Sequence, residues 1–414
     1  MRYELGNLDR YSIAINGSVM ENSGFFKATV DEKVDGDRLL KAIKTALDYH
    51  PLFKCKMSYK KKYYLEDNIG AEIVLFNTDT DSRPKEFGKN TNNYLFQVCY
   101  FDNEISFEWC HAVSDGRGAI AFFSTILDAY FGVELPPVPT EFPLELGFES
   151  IYDKSVKPFG QVKQPPGFKA KDMKTIDNGY KCTSHILKAE TSEVMRVAKK
   201  VDATPAAIIV PLFCRAIREH LPKEVKNRNV SCGVVVDMRG LMHMQTMHNF
   251  FANKVITYQD RFDDYDLPKL STVYRGILDL FVQPENLIWA CTDLKNSTDF
   301  LYNMRPLKLQ KAVVKVVCKI IKRTMNNIGF TYLGKVPFSD EVKSRLKDFN
   351  FRSWPDIGDC VLAAVDLNGT LIIDVCENYY DKGVVDSFIR ICREIGINIE
   401  EYQTTTFEQA NVRL

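Results

Sequence analysis

The stretch Cys110-His111-Ala112-Val113-Ser114-Asp115-Gly116-Arg117-Gly118 decides how this chain is read. Before it lies a hairpin pattern: residues 94–101, a turn at Asp102-Asn103, then residues 104–110. In the second arm Ile105, Phe107 and Trp109 alternate with Ser106, Glu108 and Cys110, as in a strand with one buried face. After it, a helix is predicted from about Gly118, with Ile120, Phe123, Leu127 and Tyr130 on one stripe and Gly132 as its stop. A strand thus delivers His111 into a tight turn just before a helix. Histidine titrates near neutrality, so an imidazole on so rigid a mount can take a proton from an attacking hydroxyl or amine. Gly116 is expected to permit the sharp turn. Cys110 points away from His111 along a strand and reads as core rather than as a nucleophile. Asp115 has two readings: it faces the imidazole and orients it, or it points away and pairs with a cation that pins the loop.

Outward from this point both halves mix strands and helices. A strand is predicted at 25–30. A helix opens at Gly36-Asp37, with Leu39, Leu40, Ile43 and Leu47 on one face and Asp37 as N-cap. Short strands follow around 53–59, 63–65 and 72–76. Residues 136–175 are rich in proline and lysine with weak periodicity, which suggests a linker. The second half restarts with a strand at 181–189 and helices at 192–201 and 205–220, the latter capped by Thr204 with Pro205 at its first position. A β-branched strand at 231–236 ends in Asp237-Met238-Arg239. A long mixed helical region covers 265–325, strands return at 329–333, 360–366 and 370–377, and a helix spans 382–395. Asn368-Gly369 joins the last two strands in a tight turn. A chain of 414 residues exceeds one core. The expectation is an α/β protein with domains at 1–155 and 179–414 and a linker at 156–178, each domain a mixed sheet with flanking helices.

Composition excludes some classes. Lysine plus arginine equals aspartate plus glutamate at 54 each, so the chain lacks the positive surplus of a general nucleic-acid binder. No apolar run is long enough for a transmembrane helix, and the first residues lack the pattern of a secretory signal. The 11 cysteines are scattered without a CxxC pair, which fits a reducing cytoplasm better than a disulfide framework. His243 and His248, five residues apart among methionines, are weak zinc ligands and read as loop or channel lining; no metal site is expected. His50 and His185 read as surface or packing residues. Lys308, Lys311, Lys315, Lys319 and Lys322 share one face of a helix over 308–323. That face is either simply solvated or attracts phosphate groups, an acidic protein or an anionic membrane surface.

At His111, Asp115 and Gly116 the chain resembles the chloramphenicol-acetyltransferase-like superfamily, whose shared motif is HxxxDG. Cys110 stands where condensation domains carry a second histidine, which favours a stand-alone transferase. Val235-Val236-Asp237-Met238-Arg239 and His248-Asn249-Phe250-Phe251 are similar to the V-N-x-R and N-F-F patterns of bacterial alcohol acetyltransferase relatives, with Asp237 in place of asparagine. Phe330-Thr331-Tyr332-Leu333-Gly334-Lys335-Val336 resembles their T-x-S-N-x-G-x-V strand, with Thr331 and Tyr332 replacing Ser-Asn. The resemblance implies two similar subdomains with an active-site channel between them. It implies an Asp115–Arg239 ion pair, His111 as general base, and acyl transfer from acyl-CoA to a small-molecule hydroxyl or amine, with no bound cofactor and no covalent intermediate. Thr331 is a candidate oxyanion donor, with an ordinary strand threonine as the other reading; Tyr332 and Asn249 are further oxyanion or substrate candidates. A carrier-protein-dependent condensation or release enzyme, partnered by an acyl carrier protein, and a non-catalytic binding member of the fold are the alternatives.

Overall fold

The computed structural model describes residues 2–6, 9, 23–60, 62–79, 87–138, 148–160, 164–165, 167, 181–223, 228–304, 309–310, 312–313, 316–317, 328–355, 360–377 and 383–408. The five lysines of the predicted basic face at 308–323 and residues 168–178 of the predicted linker lie outside them.

The first half begins with β1 (Arg2–Glu4), β2 (Ser23–Val30) and α1 (Gly36–Tyr49), followed by β3 (Cys55–Lys60), β4 (Lys62–Asp67) and β5 (Leu75–Asn77). It ends in the hairpin β6 (Phe96–Phe101) and β7 (Glu104–Cys110) and the helix α2 (Gly116–Phe131). The N-cap of α1 is Asp35, not Asp37: the Asp35 side chain accepts from the backbone N–H of Asp37 and Arg38. A carboxylate at this position satisfies amides that have no partner within the helix. The predicted strand at 53–59 starts late because Pro51–Lys54 forms a 3-10 turn, with proline at its first position. Gly132 ends α2 in the left-handed conformation, as predicted.

The second half contains β8 (Lys181–Glu190), α3 (Thr191–Lys200), α4 (Pro205–His220), β9 (Val230–Asp237) and β10 (Phe251–Tyr258). Next come α5 (Leu267–Phe281), α6 (Pro284–Asn303), β11 (Ile328–Lys335), α7 (Asp340–Arg345), β12 (Leu346–Ser353), β13 (Cys360–Leu367), β14 (Thr370–Glu377), α8 (Gly383–Glu394) and β15 (Glu400–Glu408). Seven strands form one mixed sheet in the order β10-β9-β11-β13-β14-β8-β15, in which β11 runs parallel to β9 and β13. Asn368 and Gly369 both take positive φ, as their hairpin turn requires.

A five-stranded sheet has the order β12-β2-β7-β6-β5, and β1, β4 and β3 form a third, small sheet. Two large hydrophobic cores stand out among the described residues. One packs Phe26, Phe107 and Trp109 of the five-stranded sheet against Leu39, Ile43, Ile120 and Phe123 of α1 and α2. The other packs the seven-stranded sheet under α4 and α8 through residues such as Leu187, Phe213, Val375 and Phe388.

β1, β10, β12 and β15 are absent from the sequence reading. β12 comes late in the chain yet pairs antiparallel with β2, from Leu346 opposite Val30 to Ser353 opposite Gly24. It therefore completes the first sheet with residues from the far side of the predicted linker. Its buried charge, Arg352, is neutralised within the fold. Arg352 Nε donates to Asp374 Oδ2 at 2.9 Å, Asn350 Nδ2 donates to the same oxygen at 2.9 Å, and Ser184 Oγ donates to Asp374 Oδ1 at 2.7 Å. Arg352 and Asp374 are both buried. The described part of the linker is docked rather than free: Thr257 N donates to Gln164 Oε1, and Thr257 Oγ1 donates to Pro165 O.

Removing one member of a buried ion pair leaves a charge in a medium that cannot solvate it. Asp374→Ala is expected to lower unfolding stability by about 3–5 kcal/mol. A lowered urea midpoint checks this.

Candidate active site

β7 ends at Cys110, and the chain turns at once, with Val113 N donating to Cys110 O at 3.0 Å. The Trp109 indole holds the turn from inside by donating to Ser114 O at 3.0 Å. Asp115 is the N-cap of α2 and accepts from Arg117 N and Gly118 N. Gly116 does not have positive φ, so the turn does not need its freedom, contrary to expectation. Its value is space: an added Cβ would come within 3.1 Å of Leu333 on β11. Gly118 is tighter, because a Cβ there would lie 2.5 Å from the backbone oxygen of Met247. The start of α2 is therefore pressed against the segment leading to Asn249, and Ser114 Oγ donates to Met247 O at 2.6 Å.

The Asp115 carboxylate is engaged by Arg239 and by backbone amides. Arg239 Nη1 donates to its Oδ2 at 3.0 Å, Arg239 Nη2 to its Oδ1 at 2.9 Å, and Phe250 N to its Oδ2 at 2.9 Å. Of the two readings of Asp115, the geometry matches the paired one. Burial works against the Arg239 charge, and the carboxylates of Asp115 and Asp237 more than offset it, so the guanidinium is held more firmly protonated than usual. Asp237, where the alcohol acetyltransferase pattern has asparagine, accepts from Arg239 Nη1 at 2.8 Å. Its other oxygen lies 3.5 Å from Arg117 Nε.

The contact of His111 is Asn249. His111 Nδ1 lies 2.8 Å from Asn249 Oδ1. The orientation of the amide is fixed by its other end: Asn249 Nδ2 donates to Asp9 Oδ1 at 2.6 Å and to His111 O at 2.7 Å, both of which only accept. The oxygen therefore faces the ring and can accept from His111 Nδ1, an arrangement that in a neutral imidazole leaves the lone pair on Nε2. Asn249 was expected to be an oxyanion or substrate contact. It is instead 1% exposed, with both ends of its amide committed to His111 and Asp9.

A cavity of about 230 Å³ opens beside this arrangement. His111, Asp115, Gly116, Arg239, Thr331 and Tyr332 all line it, which brings six of the predicted site residues together. It is bounded by β7, β9 and β11 and by Phe351, Ser353 and Trp354 at the end of β12, so its wall draws on both large sheets. Trp109, Phe251, Phe330 and Val361 make much of the wall apolar, while Arg117 and Asp237 add charge. Burial and the nearby Asp366 charge raise the Tyr332 phenol above its ordinary value, so it remains an O–H donor at neutral pH.

Sequence reasoning missed Asp9, Arg117 and the aromatic wall. The other histidines do not line the cavity. His50 Nε2 lies 2.8 Å from Thr125 Oγ1, and burial lowers its pKa to about 4. His185 is buried between Glu401 and Glu377, and His243 is exposed while His248 is buried. Cys110 is buried in the core, as predicted. Among the described residues, no group of three or more His, Cys, Asp or Glu side chains is arranged to hold a metal ion, and no helix is long and apolar enough to cross a membrane.

The fold is shared, over nearly the whole chain, with several solved structures. Among solved structures, polyketide synthase associated protein 5 from Mycobacterium tuberculosis matches with a TM-score of 0.65 and 12% identity, over 96% of this chain and 98% of that one. The epimerization domain from the third module of tyrocidine synthetase B matches with 0.59 and 14%, over 95% of each chain. TRI101 of F. graminearum, in complex with coenzyme A and T-2 mycotoxin, matches with 0.59 and 8%, over 93% of this chain and 96% of that one. No family model and no curated protein matches the sequence.

Arg239→Ala is expected to leave Asp115 buried and half unpaired, lowering stability by about 3–5 kcal/mol; a thermal melt reads this. Asp9 gives a pH-dependent effect. Burial raises its pKa from 3.8 to about 6, with Asn249 and Gly6 N–H pulling the other way. A carboxyl raised on folding binds its proton more tightly in the native state. Its penalty is therefore absent below the unfolded value and fully present above the folded one. Asp9→Asn is expected to remove this penalty above about pH 6, a gain of at most about 3 kcal/mol, reduced because the NH₂ of the asparagine cannot accept from Gly6 N or Asn249 Nδ2. The gain should fade toward pH 4, as melts across this range would register.

Proposed function

We propose that this protein is an acyltransferase that moves an acyl group from a thioester, acyl-CoA, to a hydroxyl or amine of a small-molecule acceptor. His111 is the general base, and no covalent acyl-enzyme forms. The observation that carries this reading is the imidazole itself: it lines the cavity, and Asn249 holds its Nδ1, leaving Nε2 as the basic nitrogen.

In this reading Nε2 takes the proton as the acceptor oxygen or nitrogen attacks the thioester carbon. The carbon becomes tetrahedral, and its oxygen carries the negative charge. Collapse breaks the C–S bond, and the leaving thiolate takes the proton from Nε2. Donors already aimed at the oxyanion are worth a few kcal/mol in such sites. Thr331 and Tyr332, on the cavity wall, are the side chains proposed for that role. Asp115, Arg239 and Gly116 are proposed as the frame that sets His111 in place. The aromatic wall favours an acceptor or acyl chain with substantial apolar surface. The fold shared with a coenzyme A complex supports CoA as the donor.

The test is thiol release from a panel of acyl-CoAs with alcohol and amine acceptors, comparing the wild type with His111→Ala. Turnover is expected to fall by about 10²–10⁴-fold in a folded variant. Equal turnover in both proteins would remove His111 from the chemistry.

A further inference from the structure

We propose that Asp9 is a positioning residue for His111: through the Asn249 amide, its carboxylate dictates which imidazole nitrogen carries the proton. The inference rests on the reading of His111 as the base. It adds a residue 240 positions from Asn249 in sequence.

Asp9 is 3% exposed. Its Oδ2 accepts from Gly6 N at 2.9 Å, and its Oδ1 accepts from Asn249 Nδ2 at 2.6 Å. An ionised carboxylate has nothing to donate, so it accepts only the NH₂ end of the asparagine. The oxygen end then turns to His111, where it accepts only N–H. The order carboxylate, amide, imidazole thus transmits one instruction from Asp9 to Nε2: stay unprotonated until the acceptor arrives. The backbone oxygen of His111 supports the same amide orientation, and Asp9 adds the charged, stronger anchor.

The carboxylate also contributes charge. The groups that face it are His111 and Asp115 by charge and His248, whose Nδ1 lies 3.9 Å from Oδ2; Arg239 neutralises Asp115. When His111 takes a proton, a positive ring forms in front of a buried negative charge, the arrangement that a triad aspartate supplies by direct contact. Burial makes this carboxylate costly, raising its pKa to about 6. An asparagine would fill the same space without that penalty, so packing does not account for a charge here.

The experiment uses the full chain labelled with ¹⁵N-histidine at pH 8, with His111→Ala to assign the ring signals. In the wild type, His111 is expected to show a protonated Nδ1 and an unprotonated Nε2. In Asp9→Asn and Asp9→Ala, a mixture of the two tautomers is expected. In thiol release, kcat of Asp9→Asn is expected to fall about tenfold or more, from loss of a charge-assisted hydrogen bond. The acceptor KM should stay within about twofold, because substrate binding does not involve Asp9. A melt of Asp9→Asn at or above the wild-type temperature separates this role from a merely structural one, which would lose stability. A wild-type ring protonated on Nε2, or a tautomer unchanged by both Asp9 variants, overturns the proposal. If the tautomer answers to Asp9 while His111→Ala keeps full turnover, the positioning stands and the acyltransferase reading falls.

Discussion

Much of this structure depends on one buried carboxylate. Asp115 accepts five hydrogen bonds: two from the start of α2, two from Arg239 and one from Phe250 N. Each partner belongs to a different piece of the site. The helix amides fix the turn that carries His111. Arg239 reaches Asp115 across 124 residues of sequence and also donates to Thr246 O and His248 O. Phe250 N brings Asn249 to the imidazole. A carboxylate so occupied has no lone pair left to orient a histidine, so that task falls to the amide of Asn249. Frame and base are therefore served by different side chains.

A second polar knot supports the first. Arg352 and Asp374 join β12 to β14, and Ser184 joins both to β8. Neither knot is a strong source of net stability, because desolvation consumes much of what the ion pairs return. Their effect is specificity of placement. Each is satisfied in one mutual arrangement of the two large sheets, and the cavity is the space left between them. The apolar wall and the paired charges of Arg117 and Asp237 then lie at fixed positions around His111.

What the sequence revealed was local. Alternation in 104–110, the stop at Gly132, the cap at Thr204 and the turn at Asn368-Gly369 are each encoded within a few residues, and each has its counterpart in the structure. The Asp35 cap was displaced by two residues because two acidic side chains stand at the same helix start. β12 escaped because Asp348 and Arg352 look like surface charges until Lys188 and Asp374 are placed beside them. His185 was read as a surface or packing residue, yet its two glutamates come from β14 and β15. The same limit hid Asp9. The family likeness supplied His111, Asp115 and Arg239, whereas the link from residue 9 to residue 249 exists only in three dimensions.

The position of β12 has a consequence for how the protein is made. The strands of the first sheet run from residue 23 to residue 110, but the partner that closes the edge at β2 ends at Ser353. As the chain emerges from the ribosome, that edge stays open while more than half of the polypeptide has yet to appear. An unpaired edge strand is a template for wrong partners. The first half is therefore most vulnerable to misassembly before the second is complete, and a chain truncated before residue 346 could never close its own first sheet.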